Sequence, residues 1–410
     1  MFIVYVLRWL LLAMEALIAG PIIYLYIISI SAIITQKRRQ TQTAQFLSAA
    51  EPMCSTFAIL IPAHNEQDIL GTLLDSLAGL DYPRDQYTVH VVADNCTDST
   101  ANVARATGWV HVHERFDKIK RGKGYALNWL MQELEENQLI YDAYVILDAD
   151  SVVVPTFLQS MARELARGAQ AMQACNTVLN ISDSPSTALR FVALTLVNHV
   201  RPLGRNGLGA SSNLSGNGMC LSRPLLLRYP WQAYSLSEDY QYYLTLVRHG
   251  ERVRYVPEAV VRSQMPTTFA QMRTQDVRWE SSEGGQKTWW VALQLLESGL
   301  RSRDFARIEA VAELLTPPLS FLVSCCLLAF IASLLLWSLP GLLLSLILVG
   351  GLICYVGTAL YLVRPPRKVY RAFLHAPGFM IWKLWVYFVL RRSKKHTNEW
   401  IRTSRTVSIK

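Results

Sequence analysis

Two carboxylates stand one residue apart at Asp148 and Asp150, directly after the apolar run Tyr144-Val145-Ile146-Leu147. That run reads as a strand buried on both faces of a sheet. Acids at the carboxyl end of such a strand lie where open α/β sheets bind their ligands. Two carboxylates this close repel each other unless a cation or hydrogen-bond donors come between them. A hard divalent ion such as Mg2+ or Mn2+ takes one or two carboxylates and completes its shell with phosphate oxygens and water. The pair therefore suits a metal and a diphosphate. The plainer alternative is a solvated strand-end turn, where Asp is common.

The elements around the pair must carry it. Residues 56–61 read as a strand ending in Pro62-Ala63-His64-Asn65-Glu66, followed by a helix over about 66–80 with Ile69, Leu73, Leu77 and Leu80 on one face. A second strand over 87–93 ends in Asp94, and Thr97 or Asp98 can cap the helix after it. A short strand over 109–113 leads into the basic loop Lys118-Ile119-Lys120-Arg121-Gly122-Lys123-Gly124, which opens a helix near Tyr125. This alternation predicts an α/β, doubly wound sheet whose loops converge on one crevice. There Asp94 can accept hydrogen bonds from a base or ribose, or be a turn acid. Lys123 suits phosphate ahead of a helix start, or is a solvated loop cation.

The second half is less regular. Residues 170–178 read as a strand and 186–200 as a helix. The small, polar residues from Gly207 to Gly218 either bend the chain or let a ligand approach its backbone. Ser237 is a natural cap for a helix opening with Glu238 and Asp239, and acids are favoured in a first turn. Gln275, Arg278 and Trp279 fall on one face of a helix beginning near Thr268.

Hydrophobic residues form 51% of the 410-residue chain, and mean hydropathy is +0.19. The excess is local. Residues 9–34, 316–337 and 341–363 are each long and apolar enough to span a bilayer, whereas 379–390, with Lys383 inside, fits an interfacial or re-entrant helix. Basic residues follow the first, third and fourth runs: Lys37-Arg38-Arg39, then Arg364, Arg367, Lys368 and Arg371, then Arg391, Arg392, Lys394 and Lys395. The positive-inside rule places them, and everything from about 36 to 310, in the cytoplasm. The net charge of +9 is concentrated in these flanks and reads as attraction to membrane lipids, with no nucleic-acid motif behind it. The seven cysteines are scattered without a CxxC pair and read as structural thiols of a reducing compartment. The expected division is a transmembrane helix over 1–36, a cytoplasmic domain over 37–292, and interfacial helices, a transmembrane hairpin and a basic tail over 293–410. Glu15 and Gly20-Pro21 sit inside the first span, where an acid is costly. They mark packing against another helix, a polar cavity, or a shallow position near the headgroups.

Taken together, Pro62-Ala63-His64-Asn65-Glu66, Asp94, Gly122-Lys123-Gly124, Asp148-Ala149-Asp150, Ser237-Glu238-Asp239 and Gln275-x-x-Arg278-Trp279 resemble a membrane-integrated family 2 glycosyltransferase of the cellulose, chitin and poly-N-acetylglucosamine synthase type. Each motif alone is weak; six in this order, over about 57–290, are specific. The resemblance implies a GT-A fold with a mixed sheet and a metal-dependent, inverting hexosyltransferase. Pro62, Ala63, Glu66, Asp94 and Lys123 would then hold the nucleotide, and Asp148 and Asp150 a Mg2+ or Mn2+ ion. Asp239 would be the general base, with Glu238, Gln275, Arg278 and Trp279 at the donor and acceptor. The donor implied is a UDP-hexose or UDP-N-acetylhexosamine, and the acceptor a lipid or growing polysaccharide at the cytoplasmic face of a bacterial inner membrane. The chain has fewer spans than the large polymer synthases. It therefore either glycosylates a lipid or completes a pore with a partner subunit or a second copy. The rival from another class is a non-catalytic membrane scaffold that keeps the fold.

Overall fold

The computed structural model describes residues 2–46, 55–267 and 288–392. Helix α1 (Phe2–Phe46) precedes a domain built in the order β1 (Phe57–Ala63), α2 (Leu70–Ala78), β2 (Tyr87–Asp94), α3 (Thr100–Arg105), β3 (His111–Arg115), α4 (Lys123–Glu136), β4 (Ala143–Ile146) and β5 (Ser151–Val153). It continues through α5 (Phe157–Ala166), β6 (Ala171–Val178), α6 (Pro185–Thr195), one π-helical turn (Leu196–Val200), α7 (Arg201–Gly207), β7 (Met219–Ser222), α8 (Arg223–Arg228), α9 (Glu238–Arg248) and β8 (Val253–Ser263). After it come α10 (Thr288–Ser302), α11 (Phe305–Leu315), α12 (Leu319–Leu335), α13 (Leu339–Val363), α14 (Arg367–Ala372) and α15 (Ala376–Arg392).

The eight strands form one sheet in the order β3-β2-β1-β4-β7-β6-β8-β5. The first four are parallel, as the strand–helix alternation predicts. Beyond them the sheet is mixed: β7 runs antiparallel to both β4 and β6, β8 is parallel to β6, and β5 is antiparallel to β8. Alternate residues of β1 enter opposite layers. Ile59 and Ile61 pack with Leu73 and Leu77 of α2 and Phe157 and Met161 of α5. Ala58 and Leu60 pack with Leu127 and Leu130 of α4 and Tyr242 and Leu246 of α9. Both faces are thus covered, which is why β1 and β4 read as continuous apolar runs.

Two helix boundaries differ from the sequence reading. Helix α2 starts four residues late because Asn65 takes a left-handed backbone (φ 57°), and the Glu66 carbonyl then accepts the amides of Ile69 and Leu70. The helix read over 186–200 instead runs on through the π turn to Gly207, where α7 lies against α1. A side chain at Gly204 would collide with the Ile28 carbonyl, and the Ser31 hydroxyl donates to the Gly204 carbonyl at 2.7 Å.

Among the described residues two helices, α1 and α13, are long and apolar enough to cross a membrane. The run at 316–337 opens on Pro317 and Pro318, and the 17 residues of α12 follow them as one helix; α11 and α12 meet at 62° at these prolines, so the pair makes at most one broken third span. Leu25 of α1, Cys326 of α12 and Leu352 of α13 share one apolar core. Glu15 is fully buried among these helices, with the Ser345 hydroxyl donating to it at 2.5 Å and that of Ser333 3.5 Å away. It marks helix packing rather than a shallow headgroup position.

Candidate active site

The loops leaving β1 and β2 are strapped together. Asn65 and Asn95 both take left-handed backbone conformations (φ 57° and 51°). The Asn65 side chain accepts the Thr97 amide at 2.8 Å, and the Glu66 amide donates to the Thr100 hydroxyl at 2.8 Å. His64 Nδ1 lies 2.7 Å from the Asp94 carbonyl oxygen. Asp98 accepts the Thr100 amide at 3.0 Å, but the cap position of α3 is Ser99, whose side chain makes no capping hydrogen bond, so neither Thr97 nor Asp98 is the cap. Pro62 and Ala63 are buried as the last residues of β1, and Glu66 is half-buried at the loop's edge.

Asp94 is buried, and Arg115 holds its Oδ1 at 2.6 Å. The second guanidinium nitrogen of Arg115 donates to the Lys120 carbonyl at 2.7 Å and to Asp117 at 3.1 Å. One arginine therefore fixes both the nucleotide-side acid and the basic loop. The amides of Lys120 and Ile119, with Arg115 behind them, hold the Asp117 carboxyl below the usual carboxylate range. The sequence reading passed over Arg115. Its position opposite Asp94 in the β2–β3 register was the available signal.

Lys123 opens α4 between two glycines with different duties. Gly122 turns the chain at φ 120°. Gly124 must lack a side chain, because a Cβ there would strike the Ala233 carbonyl; Trp231 Nε1 also donates to the Gly124 carbonyl at 3.2 Å. The Lys123 ammonium is thereby led into the crevice. It lies 2.7 Å from Asp148 Oδ1 and 3.3 Å from Glu238 Oε1, and it donates to the Gly216 carbonyl at 2.5 Å. Burial works against its charge, but Asp148, Glu238 and Asp239 outweigh it and hold its pKa above the ordinary lysine value.

Asp148 and Asp150 follow β4 as read from the sequence. The Asp148 amide donates to Asn217 at 3.1 Å, and Asn217 in turn donates to the hydroxyls of Ser151 (2.7 Å) and Ser263 (3.0 Å). Asn217 is 1% exposed and ties the acidic turn to the glycine-rich loop. Its role was not visible from its sequence neighbours, which bring it there only through the β4–β7 pairing. Asp148 itself is 39% exposed at its side chain and so can be reached by a ligand.

Glu238 and Asp239 start α9. Ser237 occupies the cap position, but its side chain makes no capping hydrogen bond, contrary to the sequence reading. Asp239 Oδ1 accepts the Tyr240 amide at 2.8 Å. Burial, then the neighbouring Glu238, pushes the Asp239 carboxyl up to about 7. Gly216 (φ 74°) faces this carboxyl so closely that a Cβ there would stand 3.1 Å from Asp239 Oδ2 and 3.4 Å from Lys123 Nζ. Residues from three separate elements thus meet: Lys123 of α4, Asp148 after β4, and Glu238 and Asp239 of α9. Gln275, Arg278 and Trp279 lie outside the described residues.

Asp148, Glu238 and Asp239 set three acids against the Lys123 ammonium, and Asp150 follows two residues after Asp148, so the crevice can take a further cation. Among the described residues no cluster of three or more His, Cys, Asp or Glu makes a closed metal cage. The donor set fits an ion that takes one or two carboxylates and fills the rest of its shell from a diphosphate. A carboxyl poised near neutrality beside it is matched to proton abstraction.

The chain is 26% identical over 240 residues to the beta-monoglucosyldiacylglycerol synthase of Nostoc sp., a match covering 57% of this chain and 49% of that protein. It is 22% identical over 303 residues to the poly-beta-1,6-N-acetyl-D-glucosamine synthase of Staphylococcus epidermidis, covering 72% and 69%. It spans about half the length of most of the curated relatives it matches. Among solved structures, the mannosyltransferase PcManGT of Pyrobaculum calidifontis, in complex with GDP-Man and Mn2+, is 17% identical; the likeness covers 90% of this chain and 100% of that one with a TM-score of 0.52. That likeness shows the GT-A fold. Residues 54–282, more than half of the chain, match the model of glycosyltransferase like family 2, and the chain belongs to that family.

Proposed function

We propose that this protein moves a hexose from a nucleoside-diphosphate sugar, a UDP-hexose or UDP-N-acetylhexosamine, to a hydroxyl of a membrane-associated lipid or polysaccharide, with inversion. The observation that carries the reading is the convergence of Asp148, Glu238 and Asp239 on Lys123 and Gly216 from elements far apart in the chain. Loop residues Pro62, Ala63 and Glu66, with Asp94 locked by Arg115, hold the nucleoside. Asp148 and Asp150 would hold Mg2+ or Mn2+, which when bound would supply positive charge toward the diphosphate. Lys123 exchanges part of its hold on Asp148 for a phosphate oxygen. Asp239 takes the proton of the acceptor hydroxyl as its oxygen bonds to the anomeric carbon and the bond to the diphosphate breaks. Such general-base help is typically worth ~10²–10⁴-fold. Gln275, Arg278 and Trp279 keep the roles the family resemblance gives them, closing over diphosphate and acceptor.

The basic residues after the first, third and fourth apolar runs support a domain over 37–292 on the cytoplasmic face of a bacterial plasma membrane, between the helix over 1–36 and the membrane segments over 293–410. A non-catalytic scaffold would have no use for three acids arranged around one lysine. The test is to incubate the purified protein with a panel of radiolabelled nucleotide sugars, Mn2+ and native lipids, and to separate lipid products from polymer. Divalent-dependent label in either fraction supports transfer. No product from any donor refutes it.

A further inference from the structure

Away from the crevice, a buried charge network joins the membrane helices to the helix that carries Asp239. Arg205 of α7 is 0% exposed. Its guanidinium donates to both oxygens of Glu309 of α11, at 2.7 and 2.9 Å, and also to the Tyr243 hydroxyl of α9 at 2.8 Å. The Tyr24 hydroxyl of α1 lies 2.6 Å from Glu309 Oε1 and 3.0 Å from Glu313 Oε2. Arg201 pairs with Glu313 at 3.1 Å and donates to the Tyr355 hydroxyl of α13 at 2.9 Å. Two arginines, two glutamates and three tyrosines thus tie together α1, α7, α9, α11 and α13.

The depth of this network follows from two helices independently. Arg8 donates to the carbonyls of Leu336 and Trp337, so it marks the same membrane edge as the turn between α12 and α13. At about 1.5 Å per residue, Tyr24 lies about 24 Å along α1 from Arg8, and Tyr355 about 26 Å along α13 from Ser338. With a hydrocarbon core of about 30 Å, both stand close to its opposite edge. Tyr243 follows Asp239 by one helical turn on the same face of α9, about 6 Å along the axis. A paired but desolvated cluster is a weak source of stability, whereas it fixes relative positions tightly.

We propose that Tyr243, Arg205 and Glu309 are positioning residues for the transfer step. They moor α9 to the membrane helices and hold Asp239 at a set height beneath the bilayer edge, where the hydroxyl of an acceptor anchored in that leaflet arrives. This rests on the reading of Asp239 as the base. Water, a small acceptor free to diffuse in, has no fixed height. Slow hydrolysis of the donor should therefore be indifferent to the mooring while transfer is not.

The experiment uses the full chain in lipid nanodiscs, with Mn2+, the radiolabelled UDP-sugar that gives product and a native lipid extract. Tyr243→Phe and Tyr24→Phe each remove one hydroxyl and keep the ring. Each is expected to lower kcat for lipid transfer about tenfold, leaving nucleotide affinity, donor hydrolysis and thermal midpoint within about twofold or a few degrees of wild type. The double variant should be no worse than the worse single one, because both break the same chain of contacts. Wild-type transfer by Tyr24→Phe, or a parallel fall in transfer, hydrolysis and nucleotide affinity, overturns the proposal. Asp239→Asn, run alongside, tests the base separately: it should lose both transfer and hydrolysis, and if it keeps them the base assignment fails whatever the tyrosine variants do.

Discussion

Replacing Asp239 by Asn separates a base from a structural acid, and its size can be worked out. The carboxyl is pushed from 3.8 up to about 7 by burial and by Glu238. A raised carboxylate pKa means that the folded state binds the proton more tightly than the unfolded one. The associated stability is complete below about 4 and is lost as pH rises to about 7. Three units at about 1.36 kcal/mol each give about 4 kcal/mol. Because Glu238 and Lys123 share the field, the part released by a single substitution is roughly 2–4 kcal/mol. Asn is neutral at every pH and can still accept the Tyr240 amide. Without nucleotide or metal, Asp239→Asn should therefore be more stable than wild type at pH 8.5 and nearly equal to it at pH 4. Transfer should fall by ~10²-fold or more while nucleotide binding persists. In the wild type, kcat/KM for the acceptor should rise with pH through about 7, as the base loses its proton. Thermal midpoints at the two pH values, nucleotide affinity and transfer rate on one preparation decide the matter. A stability offset that is the same at both pH values would show that the carboxyl is not raised, and near-normal transfer would show that it is not the base.

Asp150→Ala or Asp148→Asn should abolish donor turnover and divalent-dependent nucleotide binding, read by calorimetry with and without Mn2+; full activity in excess chelator contradicts the metal assignment. Arg115→Met leaves Asp94 buried and unpaired, which should cost about 3–5 kcal/mol and weaken nucleotide binding before it touches the acceptor. Retained nucleotide affinity in a folded Arg115→Met protein would remove Asp94 from nucleoside recognition. Cysteines placed at Arg38, Lys123 and Lys394 should resist an impermeant thiol reagent in sealed cells, and labelling at position 123 would reverse the topology.

In the parallel half, β1 and β4 were legible because they are buried on both faces and therefore read as unbroken apolar runs, whereas the edge strand β3 is polar and partly exposed. The mixed half was not. Strands β5 and β7 have three and four residues, too few to show a period. Strand β8 carries Pro257 and lies beside β6 at a register shift after Ala174. Lys123, Asp148 and Asp239, which the structure brings together, could be singled out because motif order survives in one dimension. Arg115 and Asn217 act across strand pairings, and Arg205 and Glu309 across helix packing, so nothing in their own sequence neighbourhoods announces them. The missing cap at Ser237 has the same origin: the residue type is right, but the backbone at φ −118° and ψ 61° turns its hydroxyl elsewhere.

The seam between α1 and α7 bears on how the protein can be dissected. Ile28, Ser31 and Thr35 close directly on Gly204 and Gly207, and Arg39 reaches Glu258 at 2.9 Å. The first helix is therefore a wall of the globular unit as well as its anchor. A chain trimmed at the membrane surface would uncover Leu203 and strip the Gly204 carbonyl of its partner. Any soluble version must keep residues from about Tyr24 onward and recolour their lipid-facing side, rather than cut them away.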